Sequence, residues 1–135
     1  MRKVNYIVGA VVVLLIVFLT AVRSPQKQGP PSYNAAAEVQ VSGTVQEVRE
    51  YFCAISEEQG THLLLHSNQG DILVHVAPAR FLRTQQFAVH ANDAVSVVGT
   101  RVHYQGEDAI LAREVTLGNE VLIVRDRQGH PLWTR

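Results

Sequence analysis

One hairpin organises this chain. Residues 61–76 have the sequence THLLLHSNQGDILVHV, in which two alternating runs flank the tetrapeptide SNQG at 67–70. Such runs around Asn- and Gly-containing residues are typical of antiparallel strands joined by a tight turn. If these four residues form the loop, His66 faces Asp71 and His62 faces His75. A slip of one residue would exchange the two faces of both strands, so the apolar pattern selects this register.

The two faces of the predicted hairpin differ in polarity. One face is apolar throughout and consists of Leu63, Leu65, Ile72, Val74 and Val76. The other face is mixed and consists of His62, Leu64, His66, Asp71, Leu73 and His75. Antiparallel sheets commonly bury one face and leave the other in water. We therefore expect the histidine-bearing face to be exposed.

A longer strand is predicted before the hairpin. From Glu38, valines alternate with polar residues over 39–45, and Gly43 within the run suggests a bend or a close approach of another backbone. Val48 falls out of step with this alternation, which predicts a β-bulge near residues 46–47.

The remainder of the chain predicts further short strands and one helical connection. A short helix or turn is expected over 78–84, because Pro78 suits the first turn of a helix. Strands are expected from about 95 to 104 and from 108 to 117, and a final hairpin is expected at 121–134. The sequence therefore predicts an all-β protein, an OB-fold-like five-stranded Greek-key barrel with a short helix between strands 3 and 4 and an added C-terminal hairpin. A seven-stranded sandwich is the alternative.

The net charge of zero is the sum of two unlike parts. Residues 1–37 carry four basic residues and no acid, whereas residues 38–135 carry eight Arg and twelve acids. Residues 4–22 are uncharged and almost all apolar, and nineteen residues of helix span roughly 28 Å, close to the hydrocarbon thickness of a bilayer. The stretch is long for a cleaved signal peptide, which is one alternative; a buried core helix is the other.

We accordingly divide the chain into a transmembrane anchor at 1–23, a Pro-rich linker at 24–37 and a barrel domain at 38–135. The basic amino terminus favours an N-inside orientation. The expected location is the inner membrane, with a single span and with the domain facing the periplasm or exterior.

Three stretches of the chain carry a resemblance. They are 70–78 (GDILVHVAP), 93–99 together with 112–115, and the tail at 125–133. Together they resemble uncharacterised membrane-anchored bacterial OB-fold proteins. This resemblance implies fold and location more than activity. The layout is also similar to the haem chaperone of cytochrome c maturation, which attaches haem through a His-x-x-x-Tyr motif. This sequence lacks that motif, since His103 is followed directly by Tyr104.

The strongest candidate for chemistry is a pair of histidines. In the predicted register the Cβ atoms of His62 and His75 lie about 5 Å apart, so the two imidazoles could share a Zn or Cu ion. His66 is four residues from His62 on the same strand, roughly 13 Å away, which is too far to bind the same ion. The competing interpretation is a solvated polar face without a metal. Cys53 has no activating group in its local sequence and is expected to be a small buried hydrophobe.

A second candidate is a partner surface formed by Arg80, Phe81, Arg83 and Trp133, although packing of Trp133 on the barrel is the favoured interpretation of that residue. The domain carries an excess of four acids and no lysine, so nucleic-acid binding is unlikely despite the fold analogy. No nucleophile or phosphate-loop motif is present, and no enzyme is expected. The sequence predicts a non-enzymatic anchored binding or assembly module, with another envelope protein as its partner. A metal or haem handling accessory protein using His62 and His75 is the alternative.

Overall fold

A computed structural model describes residues 29–134 of the chain. The predicted anchor at 4–22 lies outside these residues. Within the described range, no helix has both the length and the hydropathy of a membrane span.

The described chain is mostly β-sheet, as the sequence predicts. The strands are β1 (Glu38–Cys53), β2 (Glu58–Ser67), β3 (Gly70–Pro78), β4 (Ala94–Tyr104), β5 (Glu107–Leu117) and β6 (Glu120–Ile123). A 3₁₀ turn at Ala35–Ala37 precedes β1, and the helix α1 at Ala79–Thr84 connects β3 to β4. The predicted helical connection between the third and fourth strands is therefore confirmed.

The first five strands form a closed ring. Their order in the sheet is β3-β2-β1-β4-β5, with β6 beyond β5, and a parallel pairing of β3 with β5 joins the two sides. Strand β1 is long enough to pair with β4 through its first half and with β2 through its second half. Its register shifts between Val45 and Glu47, which confirms the predicted bulge and bends the strand between its two partners.

The register of the predicted hairpin is confirmed. His62 pairs with His75 and His66 pairs with Asp71, in the register that the apolar pattern selects. All five side chains of the apolar face are buried in the core, and Leu63, Leu65 and Val74 have no exposed surface. Gly43 lies where another backbone approaches closely, because a Cβ at this position would stand 2.5 Å from the carbonyl oxygen of His66.

The predicted C-terminal hairpin is confirmed in part. Strand β6 pairs with β5, and the chain then turns at residues 126–129 and returns in a single antiparallel bridge between Arg125 and Pro131. Pro131 has no backbone N–H to donate to a longer ladder. Leu132 donates its backbone N–H to the carbonyl of Val124 across this hairpin (3.0 Å), and Trp133 is buried.

Candidate metal site

Three neighbouring strands bring one cysteine and two histidines together. Cys53 is the last residue of β1, His62 lies in β2 and His75 lies in β3. Arg49 of β1 pairs with His62, and His62 pairs with His75. Because side chains alternate along a strand, Cys53 projects from the same face as Arg49, and hence from the face of both histidines.

The three side chains are spaced as ligands of one ion. One potential ligand atom from each residue lies within 4.8 Å of the other two. Cys53 Sγ is 3.5 Å from His75 Nδ1, and the two imidazole rings meet edge to face with their centroids 4.7 Å apart. Bonds of about 2.3 Å to sulfur and about 2.0 Å to nitrogen in a tetrahedral site also place the two ligand atoms about 3.5 Å apart.

The exposed histidine face expected from the sequence is wrong at His62. This side chain has no exposed surface. The ring of Tyr51 stacks on the imidazole with a centroid distance of 3.9 Å and an interplanar angle of 5°. A shift of register between Thr61 and His62 also interrupts the simple alternation of buried and exposed positions. The outer face of the hairpin is thus covered at this position, while His66 remains exposed and bonds to Asp71 (2.7 Å).

Burial favours the neutral form of both imidazoles. Together with the smaller effect of the neighbouring His75, it lowers the pKa of His62 to about 4. Burial also lowers the pKa of His75. The carbonyls of Gly60 and Arg49 act in the opposite direction on His62, but neither reaches hydrogen-bond geometry with the ring. A neutral imidazole is the form that binds a metal ion, so both rings are ready to bind at neutral pH.

A small cavity of about 20 Å³ adjoins the three side chains. Within residues 29–134, five buried side-chain atoms have no hydrogen-bond partner, and all belong to residues that line this cavity: Ser56 Oγ, Thr61 Oγ1, both ring nitrogens of His62 and Arg125 Nε. Buried polar atoms without partners are rare and costly. Beside the three side chains the cavity has room for one water-sized species and not for a porphyrin, so it does not favour the haem alternative.

The fold brings three of the four residues of the second predicted site into contact, largely through packing. Trp133 is buried and packs edge to face against the half-buried Phe81, with a centroid distance of 6.3 Å. Arg80 donates to both carboxylate oxygens of Glu58 (2.7 and 2.9 Å) and to the carbonyl of Trp133 (3.1 Å). These contacts favour the packing interpretation of Trp133, and of the four residues only Arg80 and Arg83 are exposed.

Two residues of the site, Cys53 and Arg125, could not be assigned to it from the sequence. Cys53 reaches the site because β1 continues as a strand as far as this residue. The sequence signal for this is the spacing of Arg49, Tyr51 and Cys53, which places all three on one face of the strand. Arg125 lies in the C-terminal segment, and its position over the cavity had no local signal.

The comparison with protein families finds one match. Residues 37–122, more than half of the chain, match the model of the MamS/MamX magnetosome protein family. This range contains β1 to β5 and all three candidate ligands. It fits loosely with the expected resemblance to an uncharacterised bacterial family, and it gives no support to a haem-chaperone layout. A search of the curated proteins found no match.

Proposed function

We propose that this chain, which belongs to the MamS/MamX magnetosome protein family, is a non-enzymatic module that binds one transition-metal ion through Cys53, His62 and His75. The observation that carries the proposal is the convergence of the three potential ligand atoms within 4.8 Å beside a cavity of about 20 Å³. Neither ring nitrogen of His62 has a hydrogen-bond partner among the described residues, so a bound ion would satisfy a group that is otherwise costly to bury.

The ligand set favours zinc or copper. Thiolate sulfur selects Zn²⁺ and Cu⁺, and imidazole is compatible with both. Three protein ligands leave one position of a tetrahedral ion open, which is the arrangement of a site that accepts an exchangeable ligand. The barrel itself holds the ligands in position, because they lie on three hydrogen-bonded strands.

We further propose that the domain is an OB-type Greek-key barrel held at the inner membrane by residues 4–22, with the domain facing the periplasm or exterior. The closed ring of five strands and the helix between β3 and β4 support the barrel type. The family's description refers to the magnetosome, and the uncharged apolar residues 4–22 between basic residues support a membrane anchor. The natural partner of such a module is another envelope protein that delivers or receives the ion.

Titration of the full chain in detergent with Zn²⁺ and Co²⁺ tests the proposal. We expect one ion per chain and a cobalt–thiolate charge-transfer band, because Co²⁺ takes the same tetrahedral ligands as Zn²⁺. The His75→Ala and Cys53→Ser variants should bind the ion with an affinity at least ten times lower than that of the wild type. His66→Ala is the matched control, since His66 lies on the same outer face of the hairpin but is exposed and bonded to Asp71. Absence of uptake by the wild-type chain, or equal uptake by His75→Ala and His66→Ala, would overturn the proposal.

A further inference from the structure

We infer that the metal site takes a small monovalent anion as its fourth ligand, and that Arg125 holds this anion over the ion. The inference rests on the proposed metal-binding function and names the ligand that completes it. Its basis is the buried guanidinium of Arg125, which lines the same cavity as the three candidate metal ligands.

Arg125 is buried, and its Nε donor has no partner among the described residues. Its side chain is 8% exposed, and its Nη1 donates to the carbonyl of Gly129 (2.9 Å). The guanidinium lies over the rings of Trp133 and Tyr33, at 4.9 and 5.4 Å from the ring centroids. Its Nε donor has no partner among residues 29–134, and no carboxylate in that range forms an ion pair with it. Buried arginines are usually paired, so this one is unusual.

The other orphaned groups of the cavity can also donate hydrogen bonds. Ser56 Oγ and Thr61 Oγ1 are buried without partners and line the same cavity as Arg125 Nε. Two hydroxyls and a guanidinium N–H are the donors that an anion requires. A second cation would meet repulsion from Arg125 and would find no carboxylate there.

Charge balance points to the same ligand. A divalent ion, one thiolate, two neutral imidazoles and one guanidinium would leave two uncompensated positive charges in a largely buried site. Burying uncompensated charge is strongly unfavourable. One monovalent anion, bound to the open position of the ion and bonded to Arg125, halves that charge.

The size of the cavity selects among anions. A volume of about 20 Å³ accepts one water-sized species. With the ion held between the three ligand atoms, the cavity beside them accepts a chloride or a hydroxide, whereas sulfate and phosphate are too large. The chemical class is therefore a small monovalent anion, for which chloride is the convenient probe.

The test is a chloride titration of the Co²⁺-loaded full chain in detergent, with sodium sulfate at matched ionic strength as the control salt. Chloride should change the cobalt d–d spectrum saturably and tighten Co²⁺ binding severalfold, and sulfate should do neither. Arg125→Gln should bind Co²⁺ but weaken the chloride effect by a factor of ten or more. Arg127→Gln, an exposed arginine of the same segment, should behave as wild type.

The outcomes separate the two proposals. If the wild-type chain does not bind Co²⁺, the metal function itself fails and the anion site fails with it. If Co²⁺ binds with its thiolate band but chloride and sulfate act alike, only the anion site is overturned. If Arg125→Gln does not fold, Arg125→Lys keeps the charge and lacks the Nε donor. A full chloride effect in Arg125→Lys would then overturn the role of the guanidinium.

Discussion

The neutral state of His62 makes the stability of this domain depend on pH. Burial lowers the pKa of His62 to about 4 in the folded protein, from an ordinary value of 6.5. Between these two values the unfolded chain binds a proton at His62 and the folded chain does not. The free energy of unfolding therefore falls as the pH decreases through this interval.

The size of the effect follows from the two pKa values. Each pKa unit corresponds to about 1.4 kcal/mol, so the full difference approaches about 3 kcal/mol below pH 4. Lowering the pH from 7 to 5 should remove about 2 kcal/mol of stability through His62 alone. This is a large fraction of the roughly 5–15 kcal/mol that stabilises a domain. The lowered pKa of His75 adds a contribution of the same sign.

Urea unfolding of the full chain in a non-ionic detergent, with a chelator present, measures this dependence. Trp133 is the only tryptophan of the sequence and is buried, so its fluorescence reports unfolding. We compare wild type with His62→Gln, which is of similar size and does not titrate. The loss between pH 7 and pH 5 should be about 2 kcal/mol smaller in the variant. Glu38 and Asp126, whose carboxyl pKa values are lowered in the folded state, contribute mainly at lower pH.

One result would refute the argument. If His62→Gln and wild type lose the same stability between pH 7 and pH 5, His62 is not a buried neutral group. His66→Gln provides the matched control, because His66 lies on the outer face of the same hairpin and is exposed.

Two other predictions test the contacts around the site and in the barrel. Tyr51→Ala removes the ring that stacks on His62 at 3.9 Å, so the pKa of His62 should rise from about 4 towards 6.5 in an NMR titration of the histidine ring protons; an unchanged pKa would contradict the shielding role of Tyr51. Gly99→Ala would place a Cβ 2.2 Å from the carbonyl oxygen of Leu111, and we expect urea unfolding to show a loss of about 1–3 kcal/mol. Gly29→Ala, where nothing lies within 4 Å of the added Cβ, should leave stability unchanged, and equal effects of the two substitutions would contradict the close-packing argument.

The register of the β2–β3 hairpin could be predicted from the sequence because two independent signals agree. The turn residues at 67–70 fix the loop, and the alternation of apolar residues fixes the faces. Together they place His62 opposite His75, as the structure confirms. The bulge near residues 46–47 could be predicted for the same reason, since a single valine out of step requires one extra residue in the strand.

The burial of His62 could not be predicted in this way. Alternation assigns a side chain to a face, but it does not say what covers that face. The cover comes from Tyr51 on the neighbouring strand, and its stacking depends on the exact pairing of β1 with β2. The turn residues of the C-terminal hairpin indicate its turn, but they could not show that the pairing stops after one bridge and that Trp133 is buried beyond it.

The covered outer face explains how a barrel core and a chemical site coexist in so short a domain. The inward side chains of β2 and β3 belong to the apolar core. The outward side chains of the same strands gain a low-dielectric environment only where Tyr51 and the C-terminal segment cover them. A barrel of this kind can therefore acquire a buried site without disturbing its core. The requirement is one stacking aromatic residue on the next strand and a tail that returns across the same face.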